Sequence, residues 1–255
     1  MRVLVIIPTY NESENILKIL DKVRETLPDA GILVVDDGSP DGTAEIVESY
    51  GRDSSDKVNI LKRAAKSGLG SAYRAGFAWG LEKGFDACVE MDADFSHDPA
   101  ALPELTEPLS RGYDLSIGSR YIPGGSIPNW PRHRYFLSRG GNIYASILLG
   151  LGVADSTAGF RAYSAEILRR LDLDSVRAEG YGFQIEMTYR TKQAGGSIVE
   201  IPIRFVDRVA GESKMSSAIV IEALGLVTWW SLGRVWGFIK RLGNGAPRGE
   251  DVKAS

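Results

Sequence analysis

The sequence predicts an α/β fold in which a mostly parallel sheet is wound by helices and followed by a C-terminal helical extension. Three observations carry this. Short β-branched runs recur through the first half of the chain, segments of helical period separate them, and acidic residues collect where the runs end. Strands that alternate with helices pair in parallel through crossovers, and open sheets of that kind bind ligands beyond the carboxyl ends of their strands.

Val3 to Thr9 is a continuous apolar run containing Pro8, the pattern of a strand covered on both faces. Asn11 to Thr26 follows, with Ile16, Ile19, Leu20, Val23 and Leu27 on one helical stripe. Ile32 to Val35 is a second strand ending at Asp36-Asp37-Gly38-Ser39, and a short helix is expected from Gly42 to Tyr50. Val58 to Leu61 reads as a third strand and Leu69 to Lys83 as a helix. Ala87 to Met91 is a fourth strand, ending at Asp92-Ala93-Asp94. Pro99 to Arg111 is helical in pattern and Leu115 to Ile117 strand-like. After Gly125 the alternation weakens to two apolar helical candidates, Tyr144 to Val153 and Ala218 to Phe238, and one strand, Ser197 to Ile203. The expected organisation is one domain over residues 1–217, an apolar helical extension over 218–242 and a disordered Gly- and charge-bearing tail over 243–255.

Composition narrows the function. Of 255 residues, 44% are hydrophobic and 25% charged, which allows a sizeable core. The net charge of −3 speaks against bulk electrostatic binding to nucleic acid. The one cysteine, Cys88, can build neither a disulfide framework nor a Cys-based zinc site, so a reducing, intracellular setting is expected. The apolar N-terminal run is too short for a secretory signal and reads as a strand.

Two acidic clusters carry the chemistry. Asp92 and Asp94 follow a buried strand, and strand alternation would place both carboxylates on one side. Two hard oxygen ligands there suit a divalent cation that completes its shell with diphosphate oxygens. The plain alternative is that they cap the helix that follows. Asp36 and Asp37 end the second strand and are able to bond a ribose or base, while Ser39 to Gly42 turns the chain into a helix. His97, followed by Asp98-Pro99, reads as a loop histidine rather than a catalytic base.

Pro8-Thr9-Tyr10-Asn11-Glu12, Val35-Asp36-Asp37-Gly38-Ser39, Gly68-Leu69-Gly70, Asp92-Ala93-Asp94 and Gly118-Ser119-Arg120-Tyr121 occur in that order. Together they resemble the large family of inverting glycosyltransferases (family 2) with a GT-A-type nucleotide-binding fold. Leu137-Ser138-Arg139-Gly140, Ala158-Gly159-Phe160-Arg161 and Gly211-Glu212-Ser213-Lys214-Met215-Ser216 bring the resemblance closer to the dolichol- and polyprenol-phosphate mannose synthases. It runs from Arg2 to Ser217. The resemblance implies that Pro8, Tyr10, Glu12 and Asp37 line a nucleoside pocket and that Asp92 and Asp94 hold Mg²⁺ or Mn²⁺ with the donor diphosphate. Ser96 stands where these synthases often place a Gln as third metal contact, and its arm is shorter. Arg120, Arg134 and Ser138 would surround the acceptor phosphate, Arg208 and Lys214 the donor diphosphate, with Asp94 and Arg120 closest to catalysis. Arg132, Arg169 and Arg170 read as solvated surface charge.

That resemblance implies mannose transfer from GDP-mannose to a polyprenyl monophosphate with inversion. A phosphate monoester has a second pKa of about 6 and is already largely a dianion at neutral pH, so the acceptor needs no general base. The alternatives are the same reaction from UDP-glucose, transfer to a hydroxyl, which would require a base that no residue here supplies, and a nucleotide-binding regulator without catalysis. Ala218 to Leu232, with Trp229, Trp230 and Trp236 and then Arg234, Lys240 and Arg241, reads as a helix lying in a membrane interface, or else as a core helix. The expected setting is the cytoplasmic membrane face, with or without a separate membrane-anchoring protein as a further partner.

Overall fold

The computed structural model describes residues 1–53, 57–206 and 223–232. A seven-stranded sheet forms the middle layer: β1 (Val3–Thr9), β2 (Gly31–Asp36), β3 (Val58–Lys62), β4 (Ala87–Glu90), β5 (Leu115–Ser119), β6 (Arg161–Ser164) and β7 (Ile198–Pro202). Their spatial order is β3-β2-β1-β4-β6-β5-β7. All pairings are parallel except those of β6, which runs antiparallel to both β4 and β5. The order reverses between β1 and β4, and a crevice opens at such a switch beyond the strand ends.

Alternation along β1 explains the two-sided core. Leu4 and Ile6 face one layer with Tyr73, Phe77 and Phe183, while Val5 and Ile7 face the other with Ile16, Ile19 and Leu105. The first layer is built from α3 (Leu69–Glu82), α5 (Arg132–Leu149), α6 (Ala165–Arg170) and α7 (Gly180–Gln193); the second from α1 (Ile16–Thr26), α2 (Thr43–Asp53) and α4 (Leu102–Ser110). Close approach of α3 to the sheet depends on Gly76, where a Cβ would come within 2.5 Å of the Ile6 side chain.

The first five strands and their helices follow the sequence pattern closely, with corrections at the ends. The first helix begins at Ile16 rather than Asn11, because Asn11 adopts a left-handed φ of 62° and residues 11–15 form a turn. The helix expected from Pro99 starts as a 3-10 turn, Pro99–Ala101, before α4. The apolar candidate Tyr144 to Val153 is only the end of α5, which starts at Arg132 and is stopped by left-handed Gly150. β6, α6 and α7 carry no pattern that the sequence reading picked up. α7 has nine buried residues spread around its circumference, so it shows no polar face and no helical period. A short helix, α8 (223–232), lies within the predicted extension; the rest of 218–242 and the tail 243–255 fall outside the described residues.

Candidate active site

A cavity of about 620 Å³ opens at the carboxyl ends of β1, β2 and β4. Pro8, Tyr10 and Glu12 follow from β1, Asp37 from β2, and Asp92, Asp94, Ser96 and His97 from β4; Arg120, Trp130, Arg134, Thr157, Tyr181 and Gln184 form the other wall. Residues distant in sequence thus meet because parallel strands end on the same side.

On the acidic side, β4 ends at Glu90 and the chain bends through Ala93 to His97, with Phe95 at φ 60°. Asp92 and Asp94 therefore reach one cavity through a bent loop, not through strand alternation as the sequence suggested. Tyr73 donates its hydroxyl to Asp92 Oδ1 at 3.1 Å, and the Ser96 amide donates to Asp94 Oδ1 at 3.0 Å. His97 stacks on Phe160 at 5.0 Å, and its Nδ1 accepts the Asp92 amide at 3.1 Å, which makes it a brace for this loop. Asp36 and Asp37 separate in role. Asp36 points back into its turn and accepts from Thr9 Oγ1, the Gly38 and Ser39 amides and Ser39 Oγ. Asp37 alone lines the cavity, where Arg63 Nε lies 3.3 Å from Oδ1 and the Ser67 amide donates to Oδ2. Arg63 thus holds the carboxylate through its charge, although Oδ1 makes no hydrogen bond. Lys66 sits 4.2 Å over the Tyr10 ring at the mouth.

On the basic side, Arg120 is almost fully buried and paired with Asp155. Nε and Nη2 each donate to that carboxylate at 2.7 Å, the Arg120 amide adds a third bond at 3.0 Å, and Nη2 also reaches Thr157 Oγ1. Burial by itself would lower the Arg120 pKa, but the adjacent Asp155 outweighs it and the net shift is upward. The reverse holds for Asp155, where burial pushes up and Arg120 pulls the carboxyl below its ordinary value. Nη1 takes no part in these bonds. Arg134 stacks 3.9 Å over Trp130. Ser138, expected at the acceptor phosphate, lines a smaller apolar groove of about 60 Å³ and accepts the Tyr121 hydroxyl at 2.7 Å. That groove, between α5, α7 and α8, shares Thr157 and Tyr181 with the cavity. Arg208 and Lys214 lie outside the described residues. Arg132, Arg169 and Arg170 are exposed, as expected.

The sequence profile described as glycosyl transferase family 2 matches residues 4–172, from β1 through α6. The chain belongs to that family. An undecaprenyl-phosphate mannosyltransferase of Micrococcus luteus is 52% identical over 244 residues, covering 95% of this chain and all of the relative. A polyprenol monophosphomannose synthase of Mycolicibacterium smegmatis is 49% identical over 231 residues, covering 91% and 87% of the two chains. Among solved structures, glucosyl-3-phosphoglycerate synthase from Mycobacterium tuberculosis, in complex with Mn²⁺, uridine diphosphate and glucosyl-3-phosphoglycerate, superposes with a TM-score of 0.66 at 20% identity; the match covers 89% of this chain and 78% of that one. The last comparison establishes the fold.

Several residues that line or support this family 2 cavity carry little or no local signal in the sequence. Asp155, the counter-charge of Arg120, was signalled only by being a lone acid in the apolar stretch Gly152-Val153-Ala154-Asp155. Gln184 sits on the patternless α7 and donates to Glu90 Oε2 at 2.8 Å. Glu90 is fully buried, and that burial pushes its carboxyl up to about 8, with Arg161 and Gln184 pulling the other way. Arg161, also fully buried, bonds the carbonyls of Ser156, Ala158 and Gln184 and so ties β6 to the loop and helix that form the wall.

Proposed function

We propose that this chain transfers mannose from GDP-mannose to a polyprenyl monophosphate, with inversion and with Mg²⁺ or Mn²⁺ bound, at the cytoplasmic surface of a membrane. The observation that carries this is one cavity with an acidic wall (Asp37, Asp92, Asp94) facing a basic wall (Arg120, Arg134), continued by an apolar groove. The two relatives with about half their residues identical support the sugar and the acceptor.

In this reading Pro8, Tyr10, Glu12 and Asp37 receive the nucleoside. Among the described residues no group of three or more His, Cys, Asp and Glu gathers as a metal site. Two cavity-lining carboxylates with Ser96 beside them still fit a hard cation whose remaining ligands are diphosphate oxygens and water. The cation, when bound, offsets the charge that develops on the departing diphosphate. Asp92 and Asp94 hold that end of the donor, with Arg208 and Lys214 as further diphosphate partners. Arg120, through Nη1, and Arg134 orient the acceptor phosphate, with Ser138 at the entrance to the groove. The phosphate oxygen attacks the anomeric carbon as a dianion, so positioning and charge neutralisation are the protein's tasks and no side chain need remove a proton. The use of His97 as a loop brace agrees with this.

The groove gives the lipid an apolar exit. Next to it, Phe136, Ile143 and Ile147 form an exposed stripe along α5, and Trp229 and Leu232 are exposed on α8. No helix among the described residues is long and apolar enough to cross a membrane. Interfacial seating of α5 and the 218–242 segment fits these features, alone or beside a membrane-anchoring partner. The domain division at 217 and 243 belongs to the same proposal. The test is a panel of nucleotide-sugars with polyprenyl phosphate, with and without divalent metal. Turnover of GDP-mannose that stops on metal removal is expected; turnover of UDP-glucose alone, or metal-independent turnover, overturns the donor or the metal assignment.

A further inference from the structure

Gln184 is 2% exposed, yet it lines the large cavity. Its backbone is held firmly: the carbonyl oxygen accepts from Arg161 Nη1 at 2.9 Å and from Thr188 Oγ1 at 2.8 Å. Its side chain is held at one end only. Nε2 donates to Glu90 Oε2 at 2.8 Å, and Oε1 has no hydrogen-bond partner. A buried amide oxygen without a donor is costly, and native folds keep such atoms where a ligand or ordered water completes them.

The chemistry of that oxygen restricts the ligand. It is a neutral acceptor, so it suits a group that carries a proton and gains nothing from a phosphate oxygen that carries none. Its position is equally restrictive. Glu90, which anchors the amide, precedes Asp92 by two residues, so Gln184 stands beside the proposed diphosphate end of the donor. Two hydroxyl-bearing parts of a nucleotide-sugar flank the diphosphate, the ribose and the hexose; the ribose goes with the nucleoside to Tyr10, Glu12 and Asp37 in the reading above, which leaves the hexose for Gln184.

We propose that Gln184 Oε1 accepts a hydrogen bond from one hydroxyl of the donor sugar and so helps select the hexose. This rests on the donor reading above. Glu90 and Arg161 act through it as positioning residues: one fixes the amide, the other the helix turn that carries it.

Calorimetric binding in the presence of Mn²⁺ tests the assignment on the full chain. The wild type is first titrated with GDP-mannose, UDP-glucose and the free diphosphates; binding of UDP-glucose alone marks failure of the donor reading, and the experiment then continues with that donor. Gln184→Met should lose about tenfold in affinity for the nucleotide-sugar and under twofold for the nucleoside diphosphate. Monodeoxy donors identify the hydroxyl: removing the partner should cost the wild type about tenfold and Gln184→Met almost nothing, the non-additivity expected of a direct contact. Gln184→Glu keeps an acceptor oxygen and should restore the dependence on that hydroxyl. Equal losses for nucleotide-sugar and diphosphate, or a Glu variant that fails to restore the dependence while remaining folded by circular dichroism, overturn the proposal. So does a wild type that binds every deoxy donor as well as the parent, an outcome that requires no variant to fold.

Discussion

Replacing Asp155 with Ala strips Arg120 of three hydrogen bonds and its counter-charge at once, at a place where the two side chains are 4% and 0% exposed. The guanidinium cannot move into water without leaving the wall of the cavity; among the described residues Thr157 Oγ1 is its one remaining hydrogen-bond partner, and the Tyr121, Trp130 and Phe205 rings, 5.2, 5.8 and 5.4 Å away, do not replace a carboxylate. Breaking one half of a buried pair leaves an uncompensated charge and costs about 3–5 kcal/mol. Against a typical folding stability of about 5–15 kcal/mol that is a large share. For a domain of this size it corresponds to a fall in Tm of about 6–20 °C. Thermal unfolding and urea titration of wild type, Asp155→Ala, Arg120→Met and the double variant supply the full cycle. The double variant, which buries neither charge, should be more stable than Asp155→Ala alone. A Tm for Asp155→Ala within about 2 °C of wild type would refute the reasoning, as would a double variant less stable than that single one. The pair also changes how activity is to be read. Arg120→Ala is expected to lower transfer by a factor of about ten or more, since a charge-assisted hydrogen bond is worth about 1.5–3 kcal/mol, but part of that residue's bonding belongs to the fold.

Further outcomes follow from the same geometry. Asp94→Ala should abolish turnover and stay folded by circular dichroism, and chelation of divalent metal should mimic it; near-normal activity in a folded variant would remove the metal assignment. Arg134→Ala should lower transfer about tenfold or more while sparing GDP-mannose affinity, whereas Asp94→Ala should lose that affinity; equal loss in both would undo the division between acceptor and donor. Glu90 carries a proton in the folded state and not in the unfolded state between the ordinary carboxylate range and about 8. Its contribution is therefore complete at low pH and falls as pH rises, by up to about 1.4 kcal/mol per unit. In metal-free buffer the urea midpoint of the wild type should fall relative to Glu90→Gln as pH is raised through this window, and parallel profiles would count against it. Phe136→Ser with Ile147→Ser should weaken liposome flotation without changing Tm, because both side chains are exposed, at 68% and 73%; unchanged flotation would remove α5 from the membrane surface.

Much of the site was legible because its motifs are local. Asp37, Asp92 and Asp94 each follow an apolar strand, so parallel winding brings them to one edge of the sheet, and the bent loop after β4 then turns Asp92 and Asp94 into one cavity. The same logic misassigned Asp36, whose carboxylate is consumed by its own turn, because adjacent acids look alike until the turn geometry is known. It also misjudged α5, whose polar first half hides a helix that the apolar end alone suggested. Ser138, expected on the acceptor phosphate, lies one helical turn from Arg134 and lines the apolar groove, a neighbourhood that only the packing of α5 against α7 and α8 defines.

The sequence by itself determined the α/β class, the five leading strands, the family and the acidic edge, since each is written in residues adjacent along the chain. Only the tertiary structure decided that β6 inserts antiparallel between β4 and β5, that Arg120 is bound to Asp155, and that Gln184 lines the cavity and keeps an unbonded side-chain oxygen. The physical reason is range. Periodicity and strand-end acids act over a few residues, whereas 35 positions separate Arg120 from Asp155 and 94 separate Glu90 from Gln184. A segment buried on all sides, such as α7, shows no amphipathic pattern from which its neighbours could be inferred.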